Sequence, residues 1–242
     1  MSIFALSLIL AFQDQTAPST KPTTKPETEY LFRVKGTVGD SYSYDTHFYM
    51  SDPTAANTLE VQGVFTDTLV RQYEEQMDWK QVLSLRKISA SGEMRPALQI
   101  YNAANNIPVT LVTNDRGRVL KKITGNIEKE TRGSANIVFP KKAVKIGEYW
   151  DAPVEIGTDV VDIRYQLMSV TNIAGRQTAY IEGTYFPDQI AVNVEKHQFY
   201  VDVPYGRTIS SKIYAVVTKG KIKLSVWATT TLRESKAGEG KS

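Results

Sequence analysis

Val109-Thr-Leu-Val-Thr-Asn-Asp-Arg-Gly-Arg-Val-Leu-Lys-Lys-Ile123 reads as two arms of alternating apolar and polar residues around the turn Asn114-Asp-Arg-Gly117. Successive side chains of a strand point to opposite faces, so a period of two marks a strand with one buried face. Gly117 sits where such a turn wants a positive φ. A β-hairpin is the reading.

The same pattern recurs on both sides of this stretch. In Ser41–Met50, residues Tyr42, Tyr44, Phe48 and Met50 share one parity, and Ser41, Ser43, Asp45 and His47 the other. A second hairpin joins 160–170 to 178–186 through Asn172-Ile-Ala-Gly175. Ile190, Val192 and Val194 alternate one way and Phe199, Val201 and Val203 the other, which predicts a turn at Glu195-Lys-His-Gln198. The last pair is 208–218 and 222–232 across Lys219-Gly220. Thr66–Leu85 fits a helix by Leu69, Tyr73 and Met77, or two strands meeting near Met77-Asp-Trp79; its β-rich flanks favour strands. Asn126–Phe139 lacks periodicity and reads as a loop or short helix. The expected fold is all-β: a large curved antiparallel sheet, a half-barrel or open barrel or sandwich, with little helix.

Composition agrees. Thirteen Tyr and eight Phe, with many Val, Ile and Thr, favour strands. The net charge of +3 is too small and scattered for nucleic acid, and Lys121-Lys122 and Lys141-Lys142 read as solvated loop charge. The absence of cysteine excludes disulfides, thiolate catalysis, Cys-based metal sites and a lipid-modified cysteine.

The ends differ from the middle. Residues 1–12 carry the apolar run Ile3–Phe12, too short to span a bilayer and placed as a signal peptide, although no Lys or Arg precedes it. A buried first strand or helix is the alternative. Residues 13–29, with Pro18, Pro22 and Pro26, read as a disordered linker, and 234–242 as a disordered tail. A β domain over 30–233 is expected, divisible into related halves at about 30–125 and 140–233. The hint of two halves is an echo: Gly39-Asp-Ser-Tyr42 opens one and Gly147-Glu-Tyr-Trp150 the other. The expected location is therefore the periplasm or the extracellular space, with no integral span in the mature chain.

Catalytic patterns are missing. Of the two histidines, His47 falls on the polar face of a strand and His197 in the expected turn, so both read as surface residues and not as catalytic bases. No nucleophile elbow, His-rich metal spacing or phosphate-cradling glycine loop occurs. Glu74 and Glu75 have opposite parity, as do Asp159 and Asp162, and Asp188 stands alone, so no carboxylate pair forms. Asn114-Asp115 is explained by its turn without calcium. Trp79, Trp150 and Trp227 with the Tyr42–Tyr49 strand are weighed as a sugar-stacking surface, against the plainer role of core aromatics. No catalytic, cofactor-binding or metal residue is assigned.

Phe139-Pro-Lys-Lys-Ala-Val-Lys-Ile-Gly-Glu-Tyr-Trp150, followed by a hairpin and by Tyr200-Val-Asp-Val-Pro-Tyr-Gly-Arg207 leading into Ile209-Ser-Ser-Lys212, resembles a family of bacterial exported proteins of unknown function. Its motif is Val-Lys-x-Gly-acid-x-Trp. The layout is also similar to half-barrel lipoprotein carriers of the Lol type, although little helix is visible to cap the sheet. The resemblance implies a concave apolar face that holds a lipid or other hydrophobic ligand without catalysis. An envelope protein is the partner under a structural or interaction role, and a glycan-binding or carboxylate-based hydrolase is a further alternative.

Overall fold

The computed structural model describes residues 28–130, 137–156, 159–185, 192–219 and 222–238. The expected signal peptide, nearly all of the linker, Asp188 and residues 239–242 lie outside them. Among the described residues twelve strands form one antiparallel sheet: β1 Ser41–Ser51, β2 Thr58–Tyr73, β3 Gln76–Ala90, β4 Pro108–Asn114, β5 Val119–Thr124, β6 Ile127–Glu130, β7 Tyr149–Ile156, β8 Asp159–Ile173, β9 Arg176–Tyr185, β10 Val192–Asp202, β11 Arg207–Lys219 and β12 Ile222–Lys236. The spatial order is β6-β5-β4-β3-β2-β1-β12-β11-β10-β9-β8-β7, so two six-stranded meanders meet where β1 pairs with β12. The sheet curves but does not close. Its edges are blunted: β6 is four exposed residues, three of them charged, and Pro153 removes an N–H from β7.

The hairpin at 109–123 forms as read. Gly117 has φ 78°, and the Asn114 side-chain oxygen accepts from the N–H groups of Arg116 and Arg118. Thr66–Leu85 is two strands, but their turn lies at Glu74-Glu75, with Glu74 at φ 49°, and not at Met77–Trp79, which are buried within β3. Part of 126–139 is the edge strand β6. The tail is ordered further than expected, with 234–236 inside β12 and the Gly238 N–H bonded to Asp40. Among the described residues the one α-helix, α1 (Pro96–Ala104), begins on a proline at its first turn and lies against β3.

The turn expected at 195–198 is absent. β10 runs through it, with a bulge between Val194 and Lys196 against β11. One extra residue on one strand flips side-chain parity without reversing the chain, so a bulge and a turn leave the same mark in sequence. His197 is thereby moved from an expected surface turn to the buried face of a strand, 2% exposed.

The two opening echoes are built alike. The Gly39 N–H bonds Leu69 O while the Leu69 N–H bonds Asp40 O; the Gly147 N–H bonds Leu167 O while the Leu167 N–H bonds Glu148 O. Each acid accepts the N–H three residues back, Thr37 to Asp40 and Lys145 to Glu148. Each glycine has positive φ, and the aromatic that follows the acid by two, Tyr42 or Trp150, is buried.

Register places the apolar residues of β1–β3, and of β8, β9 and the described part of β10, on one inner face. Over β7–β10 that face is filled by the chain itself. Phe32 and Ile137, Val138 and Phe139 join Trp150, Ile163, Tyr165, Leu167, Ile181, Phe199 and Val201 in the main core. Phe32 and Phe139 stack at 5.4 Å, and the Trp150 indole N–H donates to Val138 O at 2.8 Å. These two covering segments bond each other between Tyr30 and Val144. They fasten to the turns at one end of the sheet: the Val34 N–H to Asp115 O, the Phe139 N–H to Arg116 O and the Lys35 N–H to Tyr205 O. Arg33 pairs with Asp115 at 2.8 Å and donates to the carbonyls of Pro140 and Lys141.

Gly206 is where this cover presses hardest. A Cβ there would lie 2.3 Å from Arg33 O, and its φ is 59°. Gly206→Ala is expected to cost roughly 2–4 kcal/mol through clash and left-handed strain. Thermal unfolding of the variant should show a melting temperature lower by roughly 5–10 °C.

Candidate functional site

The inner face of the other meander is not filled in this way. Across β1, β2 and β3 its residues align in rows: Tyr42–Asp67–Gln81, Tyr44–Phe65–Leu83, Thr46–Gly63–Leu85, Phe48–Val61–Ile88 and Met50–Leu59–Ala90. β12 continues the last two rows with Ala228 opposite Phe48 and Val226 opposite Met50, and Ile213 of β11 lies opposite Ala228. Tyr44, Phe48, Met50, Phe65, Leu83, Ile213 and Val226 are only half-buried. The result is an apolar trough over the middle of the sheet, next to the filled half.

The trough ends against the cover in a groove. Its walls are Tyr42, Tyr44, Trp79 and Leu111 on the sheet, Val34, Ile137 and Phe139 from the covering segments, and Arg207 and Thr208 from β11, around about 110 Å³. Asp67 lies on its floor. The Gln81 amide donates to Asp67 Oδ1 at 2.9 Å, and no cation pairs with it among the described residues. Burial pushes this carboxyl up to about 6, offset only in part by the Gln81 bond. Sequence reasoning passed over Asp67, although one sign of it was legible: on β2 it holds the parity of Leu59, Val61, Phe65 and Leu69, an acid in an apolar row.

Arg207 closes the groove on one side. Its guanidinium lies 3.9 Å from the Tyr42 ring centre and 4.9 Å from that of Tyr205, and it donates to Lys35 O and to Asp40 Oδ2. Burial alone would raise the Asp40 carboxyl. The N–H groups of Gly238 and Thr37, with Arg207, outweigh that and hold it below the usual range. Beyond Arg207 lies a charged notch of about 460 Å³ reached by Arg176, Asp202 and Lys236.

The residues singled out in the sequence are dispersed. His47 bonds Glu60 at 3.1 Å on the outer face, which also carries Trp227 at 36% exposure. His197 is held neutral by burial, its pKa lowered to about 3, with its ring 4.0 Å from that of Phe199. Trp79 packs on Tyr42 in a small core, Trp150 on Tyr165 in the main one, and Trp227 against His47, so the three tryptophans make no common platform. Glu74 and Glu75 occupy the β2–β3 turn, and Asp115 is taken by Arg33. No group of three or more His, Asp or Glu is placed to hold a metal ion among the described residues. Nor is any described helix long and apolar enough to cross a membrane.

No protein-family model matches the chain, and no curated protein matches it. Several solved structures are similar to it over most of its length. One reports lipid–protein interactions in lipovitellin, at TM-score 0.45 and 9% identity, covering 86% of this chain and 26% of that one. This chain therefore spans about a quarter of the lipovitellin chain. Another is a protein from Bacteroides fragilis, described as exported and as having a YmcC-like fold, at TM-score 0.35 and 11% identity, covering 85% and 99%. A domain described as an outer membrane lipoprotein-sorting protein, from Vibrio parahaemolyticus, matches at TM-score 0.31 and 7% identity, covering 86% and 89%. At these scores none of them fixes a family or a ligand for this chain.

Because the folded-state pKa of Asp67 lies above its unfolded value, its contribution to stability is full at about pH 4 and is lost as pH rises through about 6. Asp67→Asn keeps an acceptor for Gln81 and removes the desolvated charge. Denaturant unfolding should show the variant more stable by roughly 2 kcal/mol at pH 7.5 and equal to the parent near pH 4.

Proposed function

We propose that this chain is an exported, non-catalytic binding protein that holds a lipid or similar hydrophobic ligand in the trough over β1–β3, β11 and β12. The observation that carries the reading is the division of one apolar face into two parts. The part on β7–β10 is sealed by Phe32 and by Ile137, Val138 and Phe139, whereas Phe48, Met50, Phe65, Leu83 and Val226 stay half-exposed. A contiguous apolar surface of this kind is costly in water and is retained where something binds it. Export rests on the apolar run at 3–12 and the proline-spaced segment behind it. The absence of catalysis rests on the dispersal of the histidines and acids described above.

The ligand is confined to the open half. A carrier using its whole concave surface would need the β7–β10 face free, and here Tyr165, Leu167 and Ile181 are 0% exposed. The binding region is therefore a strip about five side-chain rows long, roughly 25–30 Å at the usual rise per strand residue. That length suits an acyl chain laid along the strands.

Native mass spectrometry of the protein purified from its own host should show the polypeptide with an added lipid-sized mass. Phe48→Asp, which places a charge in the trough at a half-exposed site, should remove that mass while leaving the circular dichroism spectrum unchanged. A bare polypeptide mass for the parent protein would overturn the reading.

A further inference from the structure

The trough and its groove differ in chemistry, and the difference bears on which end of a ligand goes where. The four rows from Tyr44–Phe65–Leu83 onward are almost wholly apolar, whereas the row against the cover is Tyr42–Asp67–Gln81. The groove around Asp67, at about 110 Å³, has room for three or four waters, hence for a small head and not for a whole lipid. Asp67 Oδ1 is engaged by Gln81, and its carboxylate has no cation among the described residues. Arg207, on the opposite wall, donates through one terminal nitrogen to Asp40 and to Lys35 O and lies over the face of Tyr42, while its buried Nε has no acceptor among the described residues. With that guanidinium held on Asp40 and Tyr42, Asp67 offers a ligand a hydrogen-bond acceptor carrying negative charge where the apolar trough meets the cover.

We propose that this site takes an amphiphile with a protonated amine head, its ammonium paired with Asp67 and its single hydrocarbon tail lying along the trough over Phe65, Leu83 and Phe48. This inference rests on the hydrophobic-ligand reading and adds the chemical class of the head. An ammonium replaces the water that Asp67 loses on burial and supplies the donors its second oxygen lacks, so the pair forms where neither charge has to be buried alone. A carboxylate head at the same place would set two negative charges against each other in a desolvated groove.

The pH dependence has one source. The other titratable groups lining the groove are Tyr42, Tyr44 and Arg207. Both tyrosines are raised by burial and stay neutral, and arginine stays charged. Protonation of Asp67, raised to about 6, is then the change that weakens amine binding in acid.

The test is isothermal titration calorimetry of the full chain with decylamine, decanol and decanoate, each below its micelle concentration. Decylamine should bind at least about tenfold more tightly than decanoate at pH 7.5 and lose about tenfold by pH 5, following the ionised fraction of Asp67. Asp67→Asn should lose at least about tenfold for decylamine and change decanol by less than about twofold, with its melting curve confirming that it is folded. Binding of decanoate as tight as that of decylamine, or an unchanged decylamine affinity in Asp67→Asn, overturns the head assignment alone. Failure of all three compounds to bind overturns the hydrophobic-ligand reading with it.

Discussion

The ladder between β1 and β12 is the interaction on which the rest of the structure depends. Its residue pairs run from Ser41 opposite Lys236 to Ser51 opposite Ser225, joining the first and last strands of the fold. Without it the chain would be two six-stranded meanders, each exposing an edge and an apolar face. With it the apolar parity of both becomes one surface, and the trough acquires its β12 and β11 side. The contact is as non-local as this fold allows. Most other neighbours in the sheet are hairpin partners that form on short loops, so the seam carries the largest loop-closure cost and is expected to close late.

On either side of that seam the halves share a plan and differ in outcome. The same glycine–acid turn starts β1 and β7 and hooks each to its neighbouring strand through Leu69 or Leu167. In the second half the covering segments then lie down on the sheet, and the indole of Trp150 holds Val138 there. In the first half the equivalent aromatic, Tyr42, instead receives Arg207 on its ring and becomes a wall of the groove. One architectural unit is thus a packed core and the other an open trough, because two short irregular stretches choose one side of a shared face.

Those stretches mark the limit of what the sequence disclosed. The hairpins were legible because alternation and turn chemistry are local signals: Asn114–Gly117 and Ala174-Gly175 announce themselves. The cover was not, since Phe32 and 137–139 pack without a helical or strand period and hold on through single backbone bonds to distant turns. The turn at Glu74-Glu75 carries no glycine, and the bulge in β10 imitates a reversal. The site was half legible. Its apolar parity could be read along Tyr42–Met50, but the one polar exception that gives the groove its character, Asp67, matters only once its cross-strand neighbours Tyr42 and Gln81 are known.

The seam also settles how the molecule would answer to force. Ser41 and Lys236 are partners at the same end of an antiparallel ladder, with the Gly238 N–H clipped to Asp40 just beyond them. Tension applied across the seam, between Asp40 and Gly238, would load these bonds singly, like the teeth of a zipper, and not all together as in a sheared pair. The first element to yield would be the clip, then successive rungs toward Ser51 and Ser225, while the hairpins on either side stayed intact. Such a tear runs through the middle of the trough, so a pull across the seam would divide that apolar surface before it opened the hairpins on either side.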